Sequence, residues 1–134
     1  MNRETIEKAV LLGNRMGRVF IVTADREGLP HMAAAGKIAA ESGYKINVSD
    51  WFCPGTLANL QTNPGTSIVV WDPEYDIGWQ IIGNCERIED LSMMDGFSPA
   101  LEERAPLPQV ERKIHVQVKK VIHFSHAPHS DMEE

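Results

Sequence analysis

The tripeptide Pro54-Gly55-Thr56 opens a short predicted helix and has the residue types of an anion-binding site. The first N–H groups of a helix have no acceptor within it, and the helix dipole is positive at that end, so a helix start favours a bound phosphate. Gly55 lets a ligand approach the main chain closely, and Thr56 can add a hydroxyl donor. Thr56 can equally be an ordinary residue of the first helical turn, and the sequence leaves both interpretations open.

Two other groups of side chains have reactive types. Cys53 stands just before the same helix start, where the helix dipole favours a reactive thiolate, but no histidine lies beside it in sequence, so a packed thiol is the favoured interpretation. His123, His126 and His129 recur at every third residue, a spacing that a metal site could use. A polar tail without a metal is the favoured interpretation of these histidines.

Composition and missing motifs exclude several classes of function. The chain has 134 residues and a net charge of −6, which suits one domain with its own core and argues against a general nucleic-acid binder. It has no Ser-His-Asp pattern, paired carboxylates, Walker loop or GxGxxG motif. No apolar run approaches the roughly 20 residues that cross a membrane, and no signal peptide is evident. We therefore expect a cytoplasmic protein whose two cysteines are reduced.

The elements that must position these residues begin with one helix and three strands. Asn2 can cap a helix that ends near residue 16, because apolar residues recur along it at three- and four-residue spacing. Strands are predicted at residues 19–23, 31–40 and 44–49, joined by short turns that contain glycine. This order predicts an antiparallel meander.

The rest of the chain predicts a short helix and three more strands. Pro64 ends the helix that begins at Pro54, and strands follow at residues 66–71, 77–88 and 114–124. Six strands with alternating faces favour a mainly β (α+β) fold: a six-stranded antiparallel barrel with an N-terminal helix and short connecting helices.

Three further features concern the second half of the chain. Gly78 and Gly83 predict a bend or bulge in their strand. The segment 91–110 is long for a loop, so a short helix is expected within it. The last strand should present one apolar face, opposite His115, made of Ile114, Val116, Val118, Ile122 and Phe124.

The order and spacing of these segments resemble those of the pyridoxamine 5′-phosphate oxidase-like proteins, the flavin-binding split barrels. The resemblance rests on the turn Asp25-Arg26-Glu27-Gly28-Leu29-Pro30-His31, the strand 44–49, and Asn63-Pro64 directly before the strand Thr66-Ser67-Ile68-Val69-Val70. It covers roughly residues 19–90, and the last strand also fits. It implies a split-barrel flavin-binding domain over residues 1–125, followed by a polar tail at 126–134.

The resemblance also implies which residues bind flavin mononucleotide (FMN). It places the phosphate on Gly55 and Thr56, although Gly55 stands where many relatives have a basic side chain. Lys37 resembles a lysine that binds the substrate's phosphate in the oxidases proper, and a solvated lysine is the alternative. Gln80 could reach the flavin pyrimidine. The isoalloxazine ring would lie along two strands and contact mainly their backbone groups, at Ala33, Ala34, Ala35, Asn47, Val48 and Ser49. The alternative is that the alanines only pack beneath a neighbouring element.

The function that the resemblance implies is a homodimer with FMN at the subunit interface, acting as an oxidoreductase on a small molecule. A second hypothesis is a non-catalytic module that binds flavin or haem for electron transfer. The alanine-lined second strand and the missing basic residue at Gly55 favour this second hypothesis. A flavin-free dimer that acts through protein contacts is a third.

Overall fold

The computed structural model describes residues 2–51, 53–91, 111–127 and Glu133. Its elements are helices α1 (Arg3–Met16) and α2 (Pro54–Thr62) and strands β1 (Val19–Ala24), β2 (Pro30–Ala35), β3 (Lys37–Glu41), β4 (Lys45–Trp51), β5 (Gly65–Asp72), β6 (Ile77–Asp90) and β7 (Arg112–His123). The short helix predicted within 91–110, and His129, fall outside the described residues.

The described strands form one sheet of seven in the order β2-β1-β5-β6-β7-β4-β3, and every neighbouring pair is antiparallel. The sheet curls, because β2 contacts β4 although the two strands lie near opposite ends of that order. This curled antiparallel sheet with its N-terminal helix confirms the mainly β, split-barrel prediction.

The strand predicted at residues 31–40 forms two strands, which is why the sheet has seven strands where the sequence predicts six. Ala35 at the end of β2 pairs with Val19, whereas Lys37 at the start of β3 pairs with Ser49. The chain therefore leaves one edge of the sheet and joins the other edge across Gly36.

Helix α1 has the caps that the sequence predicts. The side chain of Asn2 accepts a hydrogen bond from the Glu4 N–H at 2.8 Å, and Gly17 ends the helix with a φ of 76°. Gly13 brings the helix close to the sheet, since a Cβ there would lie 2.8 Å from Val19 Cγ1. The buried face of α1 packs on the inner face of the sheet.

The inner face of the sheet is made of aliphatic side chains at alternate strand positions. Each of these buried β-branched side chains contributes roughly 1.5–3 kcal/mol through removal from water. The members with no more than 1% exposure are Val19, Ile21, Ile46, Val48, Ile68, Val70, Ile81, Ile114, Val116 and Val121.

A bulge in β7 changes which residues face this core. Ile82 pairs with Lys120 and Gly83 pairs with Val118, so Lys119 has no partner in β6. The extra residue reverses the alternation. Val121 is therefore buried while Ile122 is only half-buried, which corrects the predicted apolar face beyond Val118.

Two smaller predictions also change. No register shift occurs at Gly78 in its pairing with β5, and a Cβ there would lie 2.6 Å from the carbonyl oxygen of Val70, so close backbone approach is the reason for glycine there. The strand predicted from residue 44 starts at Lys45, because Tyr44 has a φ of 57° and belongs to the turn.

We predict that Gly83→Ala destabilises the protein by more than 2 kcal/mol, on the order expected for overpacking. An added Cβ at Gly83 would overlap the carbonyl oxygen of Gln117, which the β6–β7 pairing holds in place. Urea unfolding of the purified variant measures the change. Gly65→Ala is the matched control, since the nearest atom to a Cβ at that strand glycine is Asn63 Oδ1 at 3.4 Å. Equal stability of the two variants would contradict the overlap.

Candidate functional site

The start of α2 lacks a side-chain cap. Cys53 is the N-cap residue, with an extended backbone, and its side chain makes no capping hydrogen bond. Pro54 occupies the first turn and has no N–H to satisfy. The N–H groups of Gly55 and Thr56 are therefore left for an acceptor from outside the helix.

Thr56 is fully buried at 0% exposure, and its Oγ1 has no hydrogen-bond partner among the described residues. A buried hydroxyl without a partner costs about 1–3 kcal/mol. The first turn thus holds a buried polar group as well as free main-chain donors. This arrangement fits an anion with several oxygen atoms.

An imidazole lies against this helix start. A Cβ on Gly55 would lie 3.2 Å from Nε2 of His31, so the ring lies beside Gly55. Asn59 Nδ2 donates to Thr23 Oγ1 at 3.0 Å, and Thr23 pairs with His31 across β1 and β2. Helix α2 therefore lies over the end of the β1–β2 hairpin.

Strand β2 carries the three alanines that the family resemblance places beside a flavin ring. Their side chains alternate between faces, with Ala35 buried at 4%, Ala33 half-buried and Ala34 exposed. Among the described residues β2 pairs only with β1, so its other edge offers unpaired N–H and C=O groups. Main-chain contacts from this edge are geometrically available.

The positions predicted on β3 and β4 have different surroundings. Lys37 is exposed and pairs with Ser49, which is buried at 8%. Val48 is fully buried in the core. Asn47 Nδ2 donates to Glu41 Oε2 at 2.7 Å, so its amide is already engaged. Because β2 contacts β4, these segments lie near the alanines.

Gln80 is not brought to the start of α2 within one chain. It lies on β6, which β5 and β1 separate from β2 in the sheet. Its Oε1 accepts a hydrogen bond from Ser67 Oγ at 2.8 Å. The neighbouring Ile81 is in the core, so the Gln80 side chain faces outward from the sheet.

The other reactive side chains form no site among the described residues. Cys53 and Cys85 are free and half-buried, and burial raises the pKa of the Cys85 thiol. The N–H groups of His126 and Ala127 donate to Asp76 and lower the pKa of that carboxyl. These hydrogen bonds connect the first tail residues to the turn before β6. Within the described ranges, no group of three or more histidine, cysteine or acidic side chains could hold a metal ion.

Sequence reasoning missed a charged cluster around His115, which is buried at 6%. Its Nδ1 lies 2.8 Å from Glu41 Oε2 and its Nε2 lies 3.0 Å from Glu89 Oε1. An ionised carboxylate only accepts hydrogen bonds, so each contact is a hydrogen bond when the facing ring nitrogen carries a hydrogen. The three residues come from β3, β6 and β7, and the sequence carries no local signal of their contact.

This cluster stabilises the charged form of both carboxyl groups. Burial of Glu41 opposes ionisation, but hydrogen bonds from Asn47 and His115 outweigh it and lower the pKa of that carboxyl. The hydrogen bond from His115 likewise lowers the pKa of Glu89. The cluster joins three strands on the outer side of the sheet.

A cavity of about 510 Å³ lies between α1 and the start of β6. Trp79 lines this cavity, and its indole Nε1 is buried without a hydrogen-bond partner among the described residues. The cavity lining is mainly apolar with two cations, and it consists of Lys8, Leu11, Leu12, Arg15, Ile77 and Trp79. This cavity is separate from the start of α2.

Comparison with known families identifies the fold family. The family model described as pyridoxamine 5′-phosphate oxidase matches residues 7–123. The chain belongs to the pyridoxamine 5′-phosphate oxidase family. The match confirms the resemblance drawn from the order and spacing of the segments. No curated protein matches the chain.

Solved structures resemble this family member over most of its length. An FMN-binding protein from Syntrophomonas wolfei has a TM-score of 0.63 at 17% identity, with 94% of this chain and 90% of that chain covered. A general stress protein 26-related protein from Clostridium acetobutylicum gives 0.62 at 15%, with 94% and 92% covered. An F420 reductase gives 0.54 at 20%, with 83% and 93% covered. At these identities the likeness shows the fold. No described helix is long and apolar enough to cross a membrane.

We predict that Glu41→Gln lowers the free energy of unfolding at pH 7 by about 1–2 kcal/mol, because the hydrogen bonds that the carboxylate accepts are replaced by weaker bonds to an uncharged amide. The folded-state pKa of Glu41 is lower than its ordinary value of 4.5, so its stabilisation is present above that pH and is lost as the pH falls below it. The difference between wild type and variant should therefore shrink toward pH 4.

Urea unfolding from about pH 3 to pH 7 measures this prediction, because this interval includes the pH range below 4.5 in which the stabilisation is lost. Glu74→Gln is the matched control, because Glu74 is exposed and makes no side-chain hydrogen bond to a described residue. A difference that stays constant with pH would contradict the assignment to ionised Glu41.

We predict that Thr56→Val raises the free energy of unfolding of the flavin-free protein by about 1 kcal/mol, because it removes a buried hydroxyl that has no partner. Thr66→Val is the matched control, since the buried Thr66 Oγ1 donates to the carbonyl oxygen of Val22 at 3.0 Å. That variant should lose about 1 kcal/mol. Chemical unfolding of both variants measures the contrast, and destabilisation of equal size would show that the Thr56 hydroxyl is satisfied.

Proposed function

We propose that this pyridoxamine 5′-phosphate oxidase family member is a cytoplasmic oxidoreductase that binds FMN between two copies of the chain and acts on a small molecule. The observation that carries the proposal is the uncapped start of α2, with free donors at Gly55 and an unpartnered buried hydroxyl at Thr56. The solved relative described as FMN-binding and the F420 reductase support flavin-type redox chemistry on this fold.

The chain offers a distinct group for each part of FMN. The first-turn N–H groups and Thr56 would hold the phosphate. The open edge of β2, at Ala33 to Ala35, would hold the ring by main-chain hydrogen bonds, with residues 47–49 of β4 near it. Lys37 is the exposed cation at the start of β3. When bound, flavin supplies the hydride or electron transfer, and the protein orients it and controls its access to water.

The outer face of the sheet supports dimer formation. It carries apolar side chains that are exposed or half-buried in one chain, as expected for a surface that pairs with a second copy. Gln80 lies on the same face, so a second copy packed there would bring a Gln80 toward the partner's flavin. The apolar members of this outer face are Phe20, Val22, Met32, Val69, Ile82 and Ile122.

A second candidate function is a non-catalytic module that binds flavin or haem for electron transfer. The observation that favours it is the composition of β2, where Ala33, Ala34 and Ala35 provide no side chain that could donate or accept a proton. The two candidates share the cofactor site and differ in whether a substrate reacts there.

We predict that the purified protein binds one FMN per chain, seen as flavin absorption in the visible spectrum and as quenched flavin fluorescence on titration. Rapid mixing of the flavin-loaded protein with a nicotinamide cofactor separates the two candidates. Fast reduction supports the oxidoreductase, whereas slow reduction supports the electron-transfer module. A protein that is colourless when purified and gains no bound flavin on titration contradicts both.

The dimer part of the proposal has its own pair of variants. Met32 is 63% exposed on the outer face of the sheet, and Leu11 is 70% exposed on α1. Met32→Glu should convert a dimer to monomers and weaken FMN binding, while Leu11→Glu should change neither. Light scattering after gel filtration gives the mass. Loss of the dimer in both variants, or in neither, would contradict the placement of the interface.

A further inference from the structure

We infer that His31 provides the positive charge for the phosphate at the start of α2, in place of the basic side chain that Gly55 lacks. The inference rests on the proposed binding of FMN and deepens it by naming the cation of the phosphate site. A phosphate monoester carries nearly two negative charges at neutral pH, so the first-turn N–H groups alone leave most of that charge without a counter-charge.

The position of His31 fits this role. Its Nε2 lies 3.2 Å from where a Cβ of residue 55 would be. The ring therefore lies beside the first atoms that a basic side chain at position 55 would have. His31 is exposed, and none of the described residues forms a hydrogen bond or ion pair with its ring. The ring nitrogens are thus available to a ligand.

The three elements that meet at this point contain no other ionisable side chain, and the turn between β1 and β2 carries Asp25, Arg26 and Glu27. The sequences of β1 (VFIVTA), β2 (PHMAAA) and α2 (PGTLANLQT) contain no lysine, arginine, aspartate or glutamate. His31 is the one side chain in these three elements that can become a cation. In a chain with a net charge of −6, a phosphate bound here depends on this local positive charge.

The unpartnered Thr56 hydroxyl is the independent sign of a ligand in the same turn. It is buried at 0% exposure and has no acceptor or donor among the described residues, which is a costly state for a hydroxyl. Gly55, in the first turn of α2 beside His31, is exposed, so a ligand can approach its main chain from solvent. An oxyanion at this point would meet main-chain N–H groups on one side and the imidazole on the other.

The test compares FMN with riboflavin, which has the same ring and ribityl chain but no phosphate. Dissociation constants are measured by flavin fluorescence at about pH 6, where histidine side chains are largely charged. In the wild type, FMN should bind more tightly than riboflavin. In His31→Gln, FMN affinity should fall roughly tenfold, as expected for one lost charge-assisted hydrogen bond, and riboflavin affinity should not change.

Two further variants complete the test. His123→Gln is the matched control, because His123 is an exposed histidine at the end of β7, which is three strands from β1 and four from β2 in the sheet order. The double variant His31→Ala with Gly55→Lys returns a cation to the same space after the ring is removed, and it should recover most of the lost FMN affinity. Gly55 has no positive φ, so lysine fits its backbone.

The outcomes separate the inference from the proposed function. If neither flavin binds, the proposed function fails and the inference fails with it. If FMN binds and His31→Gln leaves its affinity unchanged, the inference alone is wrong. If His31→Gln weakens FMN and riboflavin equally, the ring of His31 contacts another part of the flavin and the inference is again wrong. Thermal unfolding of each variant shows that it remains folded.

Discussion

The change of strand partner at Gly36 is the constraint on which the rest of the structure depends. β2 pairs with β1 at one edge of the sheet, and β3 pairs with β4 at the other edge, yet the two are consecutive in the chain. One residue cannot span a flat sheet of seven strands, because strands lie about 4.8 Å apart. The sheet must therefore curl until its edges meet, which brings β2 into contact with β4.

This curl also positions the candidate site. Helix α2 follows β4 after a short connection. Because β4 contacts β2, the helix lies over the β1–β2 hairpin. The hydrogen bond between Asn59 and Thr23 fixes the helix there. Residues 31 and 55, far apart in sequence, become neighbours for this reason. The buried aliphatic face inside the curl holds the sheet in that shape.

Charge is distributed unevenly over the molecule. The His115 cluster consists of one histidine and two glutamates on strands β3, β6 and β7, and each glutamate carboxyl contacts one nitrogen of the histidine ring. Helix α2 and strands β1 and β2 themselves contain no lysine, arginine, aspartate or glutamate, whereas the turn between the two strands carries Asp25, Arg26 and Glu27. An anion would meet little repulsion from these three elements despite the net charge of −6, and local donors would decide whether it binds.

The sequence by itself determined the two described helices and most of the strands, because residue periodicity, caps and turn residues act over a few neighbouring positions. The family followed from the resemblance in the order and spacing of these segments. Only the tertiary structure decided the break at Gly36, the reversed alternation after Lys119, and the contacts of His115 and of His31 with Gly55. Each of these depends on which strands pair and in what register, and residues distant in the chain set that pairing together. No local pattern contains this information, since a shift of one residue exchanges the two faces of a strand.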